Sequence, residues 1–323
     1  MIRPRPYAYQ KWLFILLRWA AALLILAILF HYLPLAPLRA AFAQVPATRF
    51  IAILAGYLSA HLLGIVKWRL TVNTAGAQLN FATAAECYTG GLFATLFLPS
   101  IIGGDVVRLA VGLRRSPRPA SVVAGNVADR FLDVAAQAAL VIVGLSLLPG
   151  SLPLQLHAAA RKTFLWLAVA FVIFSILLFL LRRRLLRGRS FRFRKRLARL
   201  HYAIRSVGRR PLRLVFGWLL GVIMQGTFLL LTALLAVSCG LLLPLRIWLF
   251  AWPLAKLAAV LPIAQGGIGV REAALVALLV PFGASASVVL AVGLLWEGVI
   301  ISGGLIAGIA ALLLRRNNTL RAS

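Results

Sequence analysis

Leu214–Val237 reads LVFGWLLGVIMQGTFLLLTALLAV, with no charged residue and a single side-chain amide, Gln225. A helix needs ~20 such residues to cross a ~30 Å hydrocarbon core, where each backbone N–H and C=O must be satisfied within the helix. The run therefore reads as a transmembrane helix. Similar runs stand at Trp12–Leu33, Phe50–Val66, Thr163–Leu181 and Ala286–Leu314. The composition agrees: the 323 residues are 62% hydrophobic and 13% charged, where a soluble domain carries about 25% charged residues. Ten-residue stretches of alternating polarity, the mark of a barrel, are absent. The first apolar run is too long for a signal h-region and lacks a small-residue cleavage site, so it reads as the first span. Cys87 and Cys239 lie in apolar segments and offer neither a disulfide framework nor metal spacing.

The net charge of +29, from 35 basic and 6 acidic residues, is placed unevenly. A basic excess marks nucleic-acid binders, but beside spans it marks cytoplasmic loops facing anionic lipid. Arg182–Arg213 holds fourteen Lys/Arg and no acid. Within it Phe193, Leu197, Leu200, Ile204 and Val207 recur at helical spacing. This predicts a basic amphipathic helix on the anionic inner leaflet, its apolar face in the headgroup boundary. Nothing else in the chain points to nucleic acid.

With that loop inside, Arg3, Arg5 and Lys11 place the N-terminus inside, and the span from Phe50 returns to Lys67 and Arg69, which read with Trp68 as an interfacial anchor. Arg114, Arg115 and Arg118 are kept inside only if Phe81–Gly112 is a re-entrant hairpin. Ala120–Leu148 then crosses outward, Thr163–Leu181 returns, and Leu214–Val237 crosses again. Arg315, Arg316 and Arg321 end inside if Arg246–Phe282 is a second hairpin dipping from outside. The expected fold is an all-α polytopic membrane protein of about six full spans and two re-entrant hairpins. It forms one integral membrane domain over residues 1–323, with both termini cytoplasmic.

The two hairpin tips repeat. Pro99-Ser-Ile-Ile-Gly103-Gly104-Asp105-Val-Val-Arg108 matches Pro262-Ile-Ala-Gln-Gly266-Gly267-Ile-Gly269-Val-Arg271 without a gap, 163 residues later (262 − 99). The repeat units, about 50–148 and 214–314, face opposite ways, which is the pattern of inverted-repeat transporters with midplane sites on broken helices. Pro and the paired glycines supply the breaks.

All six acids, Glu86, Asp105, Asp129, Asp133, Glu272 and Glu297, lie in or beside apolar segments. A charge at the bilayer centre costs at least ~2.5–3.5 kcal/mol on insertion scales, so each is a site or ion-pair candidate. Asp105 and Arg108 are helical neighbours, Arg271 adjoins Glu272, and Asn126, Arg130, Asp133 and Gln137 form a stripe that cannot face lipid. Arg108 and Arg271 suit a phosphate, since guanidinium binds it bidentately, and helix N-termini after the glycine breaks would add N–H donors. They suit carboxylate partners equally. His31, His61, His157 and His201 form no ligand spacing. No nucleotide motif, metal site or cofactor is indicated.

At these residues the chain resembles a known family. Pro-x3-Gly-Gly-Asp-x2-Arg at Pro99–Arg108, Asp-Arg-Phe-x-Asp at Asp129–Asp133, and Pro-x3-Gly-Gly-x-Gly-x-Arg-Glu at Pro262–Glu272 are similar to the lysylphosphatidylglycerol synthase transmembrane region, or flippase-like domain, family. The likeness runs from about Leu13 to Leu314; the family more often has Glu where Asp129 stands. The resemblance implies a bacterial cytoplasmic-membrane protein related to the flippase half of the multiple peptide resistance factor. No synthase domain follows in this sequence, so synthase activity is not carried over. The expected function is lipid translocation. Arg108 and Arg271 would hold a headgroup phosphate. Asp105, Asp129, Arg130, Asp133, Glu272, Glu297 and Glu86 would serve the rest of the headgroup or relay protons. The alternative is an intramembrane transferase on a lipid-linked substrate, with Asp105 or Glu272 as base. A third reading is a non-transporting partner of a separate synthase; homo-oligomerisation is left open.

Overall fold

The uncharged run lies inside one long helix, Pro211–Ser238, in a computed structural model of the chain. The structure describes residues 27, 35–98, 101–148, 191–259 and 268–320. The described residues contain ten α-helices and no strand. They are α1 Leu35–Ala43, α2 Ala47–Thr74, α3 Phe81–Thr95, α4 Ile101–Arg115, α5 Pro119–Ser146, α6 Phe191–Gly208, α7 Pro211–Ser238, α8 Leu245–Ala258, α9 Val270–Leu279 and α10 Ala286–Leu320. The expected spans Trp12–Leu33 and Thr163–Leu181 lie outside the described residues, as do the tip residues Pro99, Pro262, Gly266 and Gly267.

Three helices, α2, α7 and α10 as far as Arg316, are long and apolar enough to cross a membrane. At 28 residues each, α2 and α7 are about 42 Å long. Helix α5 has the same length, with Asp129, Arg130 and Asp133 at its middle. The hairpin helices α3 and α4 have 15 residues each and reach only about 22 Å, short of a ~30 Å core.

Helices α2 and α7 pack side by side and run antiparallel. At one end Arg49 Nη1, near the start of α2, donates to Ser238 Oγ at the end of α7 (3.1 Å). At the other end Ala75 after α2 and Leu214 near the start of α7 share a small core with Ala124, Leu200, Ala203 and Val207. Helix α5 is drawn in at both ends by glycine. A Cβ on Gly125 would strike the backbone of Thr71 and Val72, and one on Gly144 the backbone of Leu249 and Phe250. Close backbone approach at small residues is how membrane helices gain contact without a hydrophobic driving force.

The short helices pair as α3 with α4 and α8 with α9. The first pair has its open end beside the end of α10, where Leu79, Ala84, Leu113 and Leu314 share a core. Its closed end puts Leu96 against Gly304, near the middle of α10. The second pair enters from the opposite end, where α8 meets the end of α5 at Gly144. Its Lys256 reaches Gln225, midway along α7.

Local geometry repeats as well. Helix starts at 47 and 81 recur at 211 and 245, an offset of 164. The turn after α2 carries Ala75 N→Thr71 O, Gly76 N→Asn73 O and Ala77 N→Val72 O; 164 residues on, Cys239 N→Leu235 O, Gly240 N→Val237 O and Leu241 N→Ala236 O repeat them. Gly76 and Gly240 both take positive φ, +99° and +78°. This is the glycine-capped helix ending in which the 6→1 bond satisfies a terminal carbonyl. The offset of 163 therefore belongs to the tip motifs; the preceding helices differ by one residue more.

Three expectations change. Gly103 and Gly104 do not break a helix: both lie within α4, and Gly104 lets its backbone meet Gly91 of α3. The second tip does differ in backbone: Gly269 (φ +83°) is the residue before α9. That N-terminus is already occupied, since Gly269 N–H donates to Glu272 Oε2 at 2.7 Å. Finally, α6 buries Leu200, Ala203 and Val207 against the protein, while Ile204 is exposed. Its Ser206 hydroxyl donates to Thr74 O (3.1 Å) at the end of α2. The described part of that face, Leu200 and Val207 with Ala203, thus packs on the helix ends, and Ile204 is not part of it; the side chains of Phe193 and Leu197 lie outside the described residues.

Candidate functional site

The stripe on α5 turns inward and is neutralised residue by residue. Asp129 is fully buried, and Asn126, Asp133 and Gln137 are nearly so. Lys67 of α2 reaches Asp129 Oδ1 at 2.7 Å and Asp133 Oδ1 at 2.6 Å. Arg130 reaches Asp129 Oδ2 at 2.9 Å, Asp133 Oδ2 at 2.8 Å and Asp105 Oδ2 at 3.3 Å. Arg108 of α4 pairs with Asp105 at 2.8 Å and approaches Asp129 at 3.6 Å. Three cations meet three carboxylates. Trp68 Nε1 closes one edge by donating to Asn126 Oδ1 (2.9 Å). The Lys67-Trp68-Arg69 triplet is therefore no interfacial anchor: Lys67 is 1% and Trp68 0% exposed. Only Arg69 is left to the surface side, donating to Leu79 O.

A second network sits in the other half. Arg271 Nη2 donates to Glu272 Oε1 (2.6 Å) and to Glu297 Oε2 on α10 (2.8 Å). The halves thus share a device. In each, an arginine of the hairpin's second helix reaches an acid on the following long helix, Arg108 to Asp129 and Arg271 to Glu297. Glu86 is apart from both, paired with Arg115 at 2.9 Å near the hairpin's open end. All six acids of the chain are within reach of a cation.

Between the two hairpin tips lies a cavity of about 450 Å³. Leu96 and Phe97 from the first tip and Lys256, Ile268 and Arg271 from the second face it. Tyr57, Phe228, Trp252 and Trp296 form its aromatic wall. Their rings contact one another: Tyr57–Trp296 centroids are 5.8 Å apart, Tyr57–Phe228 5.4 Å and Trp252–Trp296 6.4 Å. Of the sequence-derived site residues, Arg271 and Glu297 line this cavity. Glu272 lies behind Arg271, and Asp105, Arg108, Asp129, Arg130 and Asp133 form the neighbouring network. The two are joined through aromatic rings: Arg108 lies 4.4 Å from the Tyr88 ring centre, and the Tyr88 hydroxyl is 3.1 Å from His61 Nδ1 on the cavity wall.

Sequence reading took Lys67 for an interfacial anchor, set His61 aside for want of ligand spacing, and gave Gln225 and Lys256 no role. A lone histidine or lysine in an apolar run carries no spacing pattern; only its neighbours across helices reveal it. For Lys256 a local sign existed, a charge one turn after Trp252-Pro253 in an apolar segment.

The family model described as Lysylphosphatidylglycerol synthase TM region matches residues 15–308. No curated protein and no solved structure matches the chain.

Proposed function

The chain belongs to the lysylphosphatidylglycerol synthase TM region family, and from that premise we propose that it moves a lipid headgroup between the leaflets of a bacterial cytoplasmic membrane. Membership supports a lipid-related membrane function. The observation that carries the finer reading is the cavity, about 450 Å³, between hairpin tips that enter from opposite ends. That volume falls within the ~300–1,000 Å³ usual for small-molecule sites, and a site between two opposed hairpins suits alternating access, in which one repeat gates against the other around a fixed site.

The inverted repeat belongs to this proposal. It is supported by antiparallel α2 and α7, by the duplicated turns at Gly76 and Gly240, and by the paired arginine-to-acid contacts. In the same reading the hairpins are re-entrant, the spans number about six, and the helix ends carrying Arg115, Arg118, Arg210 and Arg315 are cytoplasmic. Helix α6 would then lie beside the anionic inner leaflet. The ion pairs act as latches: each tip arginine is held by a carboxylate on a long helix, and a competing headgroup charge would release it.

The transferase alternative gains no support from Asp105 and Glu272. Asp105 holds Arg108 and Arg130, and Glu272 holds Arg271 and the Gly269 N–H. Neither lines the cavity, and a general base must be within hydrogen-bond reach of the proton it takes.

The test is movement of fluorescent phospholipid in proteoliposomes, read by bleaching of the outer leaflet. The wild type should equilibrate the probe, and Arg108→Ala and Arg271→Ala should each abolish this. Probe movement equal to protein-free vesicles sinks the proposal, and unchanged movement in both variants sinks the latch assignment.

A further inference from the structure

Three arginines converge where α6 gives way to α7. Arg205, Arg209 and Arg210 line one groove with Tyr202 and Ser206. Arg209 N–H donates to Arg205 O (3.1 Å), so these two stand one helical turn apart, a spacing at which like charges repel. Arg210 immediately precedes α7, at the positive end of that helix's dipole, where a cation is again unfavourable. No carboxylate compensates. The chain has six acidic side chains in all, and each pairs with a cation elsewhere. The counter-charge of this groove therefore comes from another molecule.

The groove's position and size say which. Ser206 Oγ–H donates to Thr74 O at the end of α2 (3.1 Å). The groove thus lies at the ends of α2 and α7, two helices long and apolar enough to cross a membrane. Further along α7, Leu212, Val215, Phe216 and Leu219 are exposed apolar side chains, and at the groove itself Tyr202 is 72% exposed. Exposed arginine and tyrosine giving way to exposed leucine and phenylalanine mark the headgroup boundary. The groove measures about 140 Å³, less than half the ~300 Å³ at which small-molecule sites begin. That suits a single phosphate group, which guanidinium binds bidentately, and is too small for a nucleotide.

We propose that this groove is a discrete site for the phosphate of an anionic lipid, one that stays in its leaflet and is not the molecule carried. The phosphate joins Arg205 and Arg209 at the end of α6 to Arg210 at the start of α7. It so holds α6 in its docked position, where Ala203 and Val207 pack on Ala75 and Ala124. The site deepens the reading that sets α6 beside an anionic leaflet, replacing a diffuse pull on the basic loop by a stoichiometric contact at named residues. It shares no lining residue with the cavity between the hairpin tips.

Purified full-length protein in detergent is supplied with dioleoylphosphatidylglycerol or dioleoylphosphatidylcholine, and native mass spectrometry counts the lipids that each chain retains. The wild type should retain about one phosphatidylglycerol more than Arg205→Gln/Arg209→Gln, a loss of at least about tenfold in affinity at that site. Arg213→Gln removes an exposed arginine close by but outside the groove, and should retain the wild-type number. Phosphatidylcholine should not distinguish the three proteins. Lipid held elsewhere is common to all three and cancels. Equal phosphatidylglycerol counts in the wild type and the double variant overturn the site, and an Arg213→Gln count as low as the double variant's shows diffuse attraction and overturns it too. Equal sensitivity of phosphatidylcholine overturns the need for an anionic lipid, and displacement of phosphatidylglycerol by the same concentration of inorganic phosphate overturns the lipid as occupant. If the double variant does not fold, Arg209→Gln alone carries the same comparison. Lipid movement in proteoliposomes separates this site from the translocator reading: a lost site with movement intact leaves that reading standing, and a site present without movement in the wild type counts against translocation alone.

Discussion

Lys67 joins α2 to α5 through two carboxylates, at 2.7 and 2.6 Å, with 1% of its own side chain exposed. Replacing a buried ion pair by apolar groups can be neutral, but deleting one partner leaves a bare charge, at about 3–5 kcal/mol. Lys67→Ala should therefore lower the thermal midpoint of the detergent-solubilised protein strongly, and Lys67→Ala/Asp133→Ala should recover part of the loss. A midpoint unchanged in the single variant would show that the pairing carries no stability. Arg115→Ala should matter less, because its side chain is 28% exposed and the pair is screened. The acids were legible in the sequence because charge in an apolar run is itself an anomaly. Their partners were legible only where they lay within one helical turn, as Arg108 does from Asp105 and Arg271 from Glu272. Lys67 and Asp133 are 66 positions apart, and no local pattern links them.

At the scale of elements, glycine decides how closely helices approach. A Cβ at Gly125 would strike the backbone of Val72 and Thr71, whereas Gly90 has open space. Overpacking a tight contact costs about 1–3 kcal/mol. Gly125→Ala should lower the yield of monodisperse protein and its thermal midpoint, and Gly90→Ala should leave both unchanged; equal behaviour refutes the close-approach account. Gly76 and Gly240 test the other role of glycine. Their positive φ costs an L-residue about 1–2 kcal/mol, so alanine at either should destabilise by that amount, seen as a small drop in midpoint. Helix α6 shows where periodicity misled. The four-three spacing of Phe193, Leu197, Leu200, Ile204 and Val207 describes an apolar face, but within its described part, 200–207, the contacts take Leu200, Ala203 and Val207 and leave Ile204 exposed. A small residue such as Ala203 is invisible to a count of large apolar side chains.

For the whole molecule the decisive question is orientation of the halves. The turns 75–80 and 239–244 have the same length and bonding, yet they lie at opposite ends of the antiparallel α2 and α7. In a variant with Cys87 and Cys239 replaced by Ala, Gln78→Cys should react with a membrane-impermeant thiol reagent from one side only and Leu242→Cys from the other, in right-side-out and inverted vesicles. Labelling of both from the same side would end the inverted-repeat reading. The sequence alone determined that the chain is helical and membrane-bound, because hydrophobic length is a local property that any ~20-residue window reports. It also marked the acids and the two glycine-rich motifs, since charges and helix breakers stand out against an apolar background. Tertiary structure alone decided that the charges neutralise one another in two networks, and that the space between the tips is lined by Tyr57, Trp252, Lys256 and Trp296. Ion pairing and cavity shape depend on which distant helices meet and at what depth, and that is a property of packing that no window of sequence contains.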